Sequence, residues 1–282
     1  SIGGHRMTII ASLLRAADLP DSPTARLDAE LLLAAALGKS RSFLHTWPER
    51  IVPSEAALQF AEYLQRRRGG EPVAYILGQQ GFWKLDLEVA PHTLIPRPDT
   101  ELLVEAALEL LPASPATVLD LGTGSGAIAL ALASERPAWK VTAVDRVIEA
   151  VALAERNRQR LQLDNATVLN SHWFSALAGQ RFQLIISNPP YIAATDPHLA
   201  QGDVRFEPAS ALVAGEDGLD DLRLIVAQAP EHLEAAGWLM LEHGYDQAEA
   251  VRDLLLTRGF EEVHSRTDLG GHQRISLGRL PC

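Results

Sequence analysis

Cysteine is nearly missing from this chain. Its one thiol, Cys282, is the last of 282 residues, so no disulfide can close within the chain. That fits a reducing compartment, where thiols stay free. Long apolar runs are missing too, and none approaches the ~20 residues that a membrane-spanning helix needs. The start, Ser1-Ile2-Gly3-Gly4-His5-Arg6 before Met7, lacks the apolar centre of a signal peptide and reads as an expression remnant. The expectation is a cytoplasmic chain with no membrane partner. Positive charge is also short: 25 Lys and Arg against 36 Asp and Glu leave a formal net charge of −11. A broad nucleic-acid footprint is therefore disfavoured, although a local basic patch is not excluded. No internal repeat, low-complexity tract or cluster at metal-ligand spacing stands out, so no metal is expected. What remains is an ordinary soluble composition, 47% apolar and 22% charged, long enough for one or two domains.

Residues 7–80 carry helical spacing alone. Ile9, Leu13 and Leu14 recur at helical intervals until Asp18-Leu19-Pro20-Asp21 breaks the pattern. Ser22-Pro23 is a cap and first-turn pair for a helix bearing Leu27, Leu31, Leu32 and Ala35, with Gly38 to stop it. A further helix runs from near Ser54 to Arg66-Arg67-Arg68-Gly69-Gly70, where the arginines suit a solvated helix end. An acidic partner for them is the competing reading. No chemistry is evident here, which leaves core, partner binding or both.

The period then changes. In Phe82–Val89, Trp83, Leu85, Leu87 and Val89 alternate with Lys84, Asp86 and Glu88, which predicts a half-exposed strand in a hairpin between two domains. The loop from Pro91 to Glu101 follows, stiffened by three prolines, with Asp99 or Thr100 placed to cap a helix that runs to Leu111. Arg97, between two prolines, is equally a substrate contact or a surface ion pair. From Thr117 strands and helices alternate, with strands at 117–121, 140–144, 167–170, 182–187, 238–242, 261–266 and 274–277. Helices fall at 126–135, 147–162, 219–235 and 246–258. Such alternation predicts a parallel, doubly wound α/β sheet, and the short Gly270-Gly271 break predicts an antiparallel hairpin at its edge.

Between the first strand of that series and its helix lies Gly122-Thr123-Gly124-Ser125-Gly126. Glycines permit a tight turn and let a ligand approach the backbone, whose free N–H groups open the helix. Asp145, ending the next strand, can take both hydroxyls of a ribose; capping of the following helix is the weaker reading. Spacing alone leaves an NAD enzyme open, because Gly122-x-Gly124-x-x-Ala127 also fits the dinucleotide fingerprint.

Asn188-Pro189-Pro190-Tyr191 breaks that tie. Two prolines cannot continue a strand ladder, so the chain leaves the sheet at Asn188 on a stiff path. A hydride-transfer enzyme has no evident use for this loop, whereas methyl transfer to a planar nitrogen does. Such a nitrogen is a poor nucleophile whose N–H groups need acceptors. The Asn188 side-chain carbonyl and the Pro189 backbone carbonyl can supply them, and Tyr191 can stack on the planar group.

With both motifs in place, the chain closely resembles the PrmC/HemK family of release-factor glutamine methyltransferases over residues 8–280. The specific stretches are Glu71–Gly78, Leu94–Glu101, the glycine loop, Ser187–Ile192 and Glu207–Leu212. The resemblance implies a Rossmann-like methyltransferase sheet (99–282), a hairpin and linker (81–98) and a helical N-terminal domain (7–80) that helps bind the release factor. It implies S-adenosylmethionine as cofactor and the glutamine of the Gly-Gly-Gln motif in class 1 release factors as substrate. By position, Gly122 to Gly126 match the family's cofactor loop, Asp145 its ribose acid and Trp173 the residue flanking the adenine. Asn188, Pro189, Pro190 and Tyr191 match the glutamine-binding loop, with Asn188 touching the cofactor as well. The alternatives are a DNA adenine methyltransferase, an NAD-dependent enzyme and a non-catalytic sensor of the adenosyl group. Net charge and the helical N-terminal domain argue against direct DNA binding.

Overall fold

A computed structural model describes residues 7–282, so the presumed expression remnant lies outside the described residues. The chain divides into two units. One runs to Gly78 and includes Ala200–Phe206; the other comprises Gln79–Leu199 and Glu207–Cys282.

The first unit is helical: α1 (Ile10–Ala16), α2 (Ala25–Leu37), α3 (Arg41–Thr46), α4 (Ser54–Arg68) and α5 (Val73–Leu77). Leu32, Leu33, Leu44 and Phe60 are fully buried at its centre. Gly38 ends α2 in the left-handed region, its N–H bonded to the carbonyls of Ala34 and Ala35, as a helix-stopping glycine should. Helix α2 starts at Ala25, however, and not at Ser22-Pro23. The Ser22 hydroxyl accepts the Thr24 N–H and donates to Asp28 at 2.6 Å, so it organises the preceding turn. Helices α3 and α5 escape the sequence pattern because six and five residues are too few to display a 3.6 period. Of the arginine triplet, Arg66 and Arg68 are exposed as expected of a solvated helix end, and Arg67 alone is not. Arg67 is buried and paired with Asp28 at 2.9 Å and Asp203 at 2.8 Å, while Arg66 pairs with Glu71 and Arg68 donates to the Asp18 carbonyl. A buried guanidinium requires such carboxylates, and Asp203 lies too far along the chain for spacing to reveal it.

The second unit opens with a hairpin, β1 (Gln79–Phe82) and β2 (Leu85–Glu88), followed by α6 (Glu101–Leu110). The continuous strand expected over 82–89 is thus broken at Trp83, whose φ is +57°. Two anchors hold it there: its backbone N–H donates to Glu101 and its indole N–H to Glu135, each at 2.7 Å. Leu87 and Val89 are buried as the alternation predicts.

Seven strands follow with their helices: β3 (Thr117–Leu121), α7 (Ala127–Glu135), β4 (Lys140–Asp145), α8 (Ile148–Arg160), β5 (Ala166–Asn170) and β6 (Phe182–Ser187). Then come α9 (Asp220–Gln228), β7 (Leu233–Glu242), α10 (Ala248–Arg258), β8 (Glu261–Thr267) and β9 (Gln273–Arg279). The helix expected over 219–235 stops early. A short 3-10 turn at Ala229–His232 carries Pro230, which supplies no N–H, and the chain enters β7 at Leu233.

Sheet order is β5-β4-β3-β6-β7-β9-β8, parallel except for β9, which runs antiparallel to both β7 and β8. Alternate strand residues face opposite sides. Val118, Leu184, Ile186 and Met240 pack with α6 and α7, whereas Leu119, Leu121, Ile185 and Leu239 pack with α9 and α10. Both faces are buried, so the central strands read as continuous apolar runs. The chain winds outward through β4 and β5, then returns to place β6 against β3. That reversal is where ligands of doubly wound sheets bind.

Candidate active site

Strands β3, β4 and β6 end level with one another. Leu121 pairs with both Val144 and Ser187, so the chain leaves the sheet at Gly122, Asp145 and Asn188 side by side. The Ser187 hydroxyl donates to the Leu121 carbonyl at 2.8 Å, tying the two central strand ends together. Gly122, Thr123, Gly124, Ser125, Asp145, Trp173, Asn188 and Pro190 all line one cavity at this place. Gly126 stands just behind it at the start of α7. Pro189 and Tyr191 do not reach the cavity wall.

The glycine loop turns because Gly122, Gly124 and Gly126 all adopt positive φ. An added Cβ at Gly122 would only touch the Trp173 ring, at 3.4 Å, so the positive φ is what calls for glycine there. Trp173 itself sits at φ +50°, an uncommon conformation for a bulky residue. Its carbonyl accepts the Ser171 hydroxyl at 2.6 Å, which holds the bend. Asp145 accepts the Gly124 N–H on one oxygen and the Val147 N–H on the other, each at 2.9 Å. It therefore braces the loop and the turn into α8, and each oxygen keeps a lone pair for a ligand. Burial pushes its carboxyl above the ordinary range, and those two N–H groups oppose the shift.

Three supports escape sequence reasoning. Asp120 is fully buried in β3 and accepts the Thr123 hydroxyl at 2.7 Å. Burial raises its carboxyl from 3.8 to about 7, against the lowering effect of Thr123. A charge-bearing residue inside an apolar strand is the signal that could have exposed it. Asn157, within α8, donates to the carbonyls of Ser125 and Glu88 and accepts the Glu88 N–H, so it pins the glycine loop to the hairpin. Glu207 holds Arg97 through two bonds of 2.6 and 3.0 Å. Arg97 thus forms an ion pair with the buried Glu207 while its own side chain stays half-exposed, and it also lines the cavity.

At the Asn188 loop the polar accounting is uneven. The Asn188 Nδ2 donates to the Thr100 hydroxyl at 3.4 Å, whereas its buried Oδ1 has no hydrogen-bond partner. An orphaned buried carbonyl costs free energy and calls for a donor. Thr100 was a candidate helix cap, yet its side chain makes no cap bond and turns inward instead. Tyr191 is half-buried, and its hydroxyl donates to Glu242 at 3.2 Å. Burial and the charge of Glu242 hold that phenol well above its ordinary range, so it stays neutral. Glu242, at the end of β7, is raised by burial from 4.5 to about 7.

Among the described residues, no group of three or more His, Cys, Asp or Glu side chains is arranged to hold a metal ion. No helix among them is long and apolar enough to cross a membrane. A nucleophile with a matched base is not what the cavity presents. Its features are a backbone cradle, a carboxylate beside it and an acceptor waiting for an N–H.

Comparison with known proteins gives the family and the fold. Residues 8–78 match the PrmC N-terminal domain and residues 98–216 the methyltransferase small domain. A release factor glutamine methyltransferase of Pseudomonas aeruginosa is 73% identical over 276 residues, covering 98% of this chain and all of the relative. The Escherichia coli protein of the same name is 51% identical over 275 residues, covering 98% of each. In solved structures, a methyltransferase from Pyrococcus furiosus superposes with a TM-score of 0.56 at 18% identity, over 79% of this chain and all of that one. That last likeness concerns the fold alone.

Proposed function

The chain belongs to the family of release factor glutamine methyltransferases, and on that premise we propose that it methylates the glutamine side-chain amide in the Gly-Gly-Gln motif of class 1 release factors. The methyl donor is S-adenosylmethionine. The carrying observation is the unpartnered Oδ1 of Asn188, a residue that lines the same cavity as the glycine loop and Asp145.

The residues fit that donor. The glycine loop offers backbone approach for its amino-acid part, Asp145 has a free lone pair on each oxygen for ribose hydroxyls, and Trp173 offers an aromatic wall for the adenine. When bound, it supplies a sulfonium-activated methyl. The chain's own task is to prepare the acceptor. In this reading Asn188 Oδ1 accepts one N–H of the glutamine amide, and the backbone carbonyl of Pro189, a residue outside the cavity lining, is the expected second acceptor once substrate is seated. As that nitrogen gains positive charge, both dipoles are already aligned against it. With its hydroxyl held by Glu242, Tyr191 anchors the loop.

Domain roles follow the same reading: residues 7–80 contribute to release-factor binding, 81–98 form the hairpin and linker, and 99–282 carry out the transfer. Such a substrate implies work in the cytoplasm. The test is mass spectrometry of a class 1 release factor after incubation with the chain and S-adenosylmethionine. One added methyl on the Gly-Gly-Gln glutamine is expected; label on DNA alone, with the release factor unmodified, would refute the proposal.

A further inference from the structure

Tyr191 closes the proline loop, and its backbone carbonyl marks the point where the chain moves on. That carbonyl accepts the Gln247 Nε2–H at 3.0 Å. The other end of the same amide, Oε1, accepts the Gly244 N–H at 2.8 Å. A backbone N–H only donates and a carbonyl only accepts, so the Gln247 amide has a single orientation here. Gln247 stands at the start of α10, where a polar side chain ordinarily serves its own helix. Its side chain makes no cap bond and is committed to the loop instead.

We propose that Gln247 is a positioning residue that fixes the exit of the Asn188–Tyr191 loop, and with it the place of the Asn188 acceptor. The proposal rests on the methyl-transfer reading and deepens it. With φ fixed at both prolines, the loop passes a displacement at one end on to the other. Its entry is tied at Ser187, whose hydroxyl donates to the Leu121 carbonyl. At its exit, the peptide joining Tyr191 to Ile192 is gripped on both sides. The Ile192 N–H donates to the Leu212 carbonyl at 2.9 Å, and Gln247 holds the oxygen. Without Gln247 that peptide can tilt about its one remaining bond. Gln247 has a firm base, since its own N–H donates to the Gly244 carbonyl and its carbonyl accepts the Val251 N–H, each at 3.0 Å. Gly244 is held in turn by the buried His243, whose Nδ1 bonds its carbonyl at 2.9 Å and whose Nε2 bonds the Ser276 hydroxyl of β9 at 2.7 Å. Gly218, just before α9, leaves room for the contact. An added Cβ there would lie 2.4 Å from the Tyr191 oxygen and 3.0 Å from Gln247 Nε2. The Tyr191 hydroxyl is held separately, by Glu242 at 3.2 Å, so its backbone and side chain have different supports.

Two variants of Gln247 discriminate. Gln247→Glu keeps the shape and the Gly244 bond but sets an acceptor against the Tyr191 carbonyl. Gln247→Met keeps the length and leaves that carbonyl without a donor. For release-factor methylation, kcat should fall about tenfold or more in Gln247→Glu and several-fold in Gln247→Met, because a small misplacement of a reacting group is costly. KM for the release factor and Kd for S-adenosylmethionine should each stay within about twofold of wild type, which separates positioning from binding. In an Asn188→Ala background, Gln247→Glu should add less than about threefold, because the acceptor it places is already gone. A readout free of turnover is the 13C shift of the labelled Tyr191 carbonyl, which should move upfield in both variants as its hydrogen bond is lost. Wild-type kcat in Gln247→Glu, an undiminished loss in the Asn188→Ala background, or an unmoved carbonyl shift would overturn the positioning role. Failure of the wild-type chain to methylate any release factor would instead refute the functional reading, and the carbonyl shift stands apart from it.

Discussion

Replacing Asn188 by alanine should separate activity from stability more sharply than any other change in this protein. A buried asparagine with satisfied partners ordinarily costs about 1–3 kcal/mol when removed. Here the side chain makes one bond, at 3.4 Å, the outer limit of hydrogen-bond length, and leaves a buried carbonyl without a partner. The bond is worth no more than about 1 kcal/mol, and relief of the orphaned acceptor returns about as much. Asn188→Ala should therefore unfold in urea within about 1 kcal/mol of wild type. Transfer behaves oppositely, because the lost dipole is one aimed at developing charge. Removal of a comparable group from a preorganised site costs about 10²–10³ in kcat, roughly 3–4 kcal/mol of transition-state stabilisation. Three measurements decide: urea unfolding, cofactor Kd by calorimetry and single-turnover methylation of a release factor. Cofactor affinity should fall less than the rate. A variant destabilised by more than about 2 kcal/mol would show that Asn188 serves the fold, and one with wild-type turnover would remove its role in transfer.

Asp145→Ala should act chiefly on the cofactor, weakening Kd by about tenfold or more, since charge-assisted bonds contribute roughly 1.5–3 kcal/mol each; an unchanged Kd in calorimetry contradicts this. Asp120 makes a prediction about pH. Its carboxyl moves from 3.8 to about 7 on folding, so between those values the native state keeps a proton that the unfolded chain has lost, and stability falls as pH rises through that window. Asp120→Asn does not titrate and should gain on wild type by up to about 4 kcal/mol between pH 4 and 8; a constant difference in urea unfolding across that range refutes it. Arg97→Ala strands Glu207, whose side chain is 2% exposed while that of Arg97 is 35% exposed, and should cost about 1–3 kcal/mol because water can enter the vacated site. Adding Glu207→Gln should recover part of that loss, whereas a double variant less stable than Arg97→Ala would show that the pair is not the reason.

Much of this site was legible because its devices are local. Glycines that need positive φ, a proline pair that ends a strand and an acid closing the next strand all announce themselves by residue type. The alternation from Thr117 onward is equally local, since a strand buried on both faces must be apolar throughout. Trp83 was not legible: period two runs on through it, and only the carboxylates of Glu101 and Glu135, reached through the fold, turn the chain there. Arg67 was misleading for the same reason, because nothing near it in sequence explains a buried cation. Thr100 reads as a helix cap until the end of β6 brings Asn188 beside it.

The amino-acid sequence alone therefore determined which chemistry is available: a glycine turn, an acid at the end of the next strand and an amide held on a stiff loop, each specified by neighbours within a few residues. Tertiary structure decided how that chemistry is arranged. Register across β3, β4 and β6 brought the three loops level, and burial left Asn188 Oδ1 without a donor. It also placed Tyr191 on Glu242 and not at the cavity wall. Those outcomes depend on pairings between residues far apart in the chain, such as Thr100 with Asn188, 88 positions on, and no local spacing encodes them.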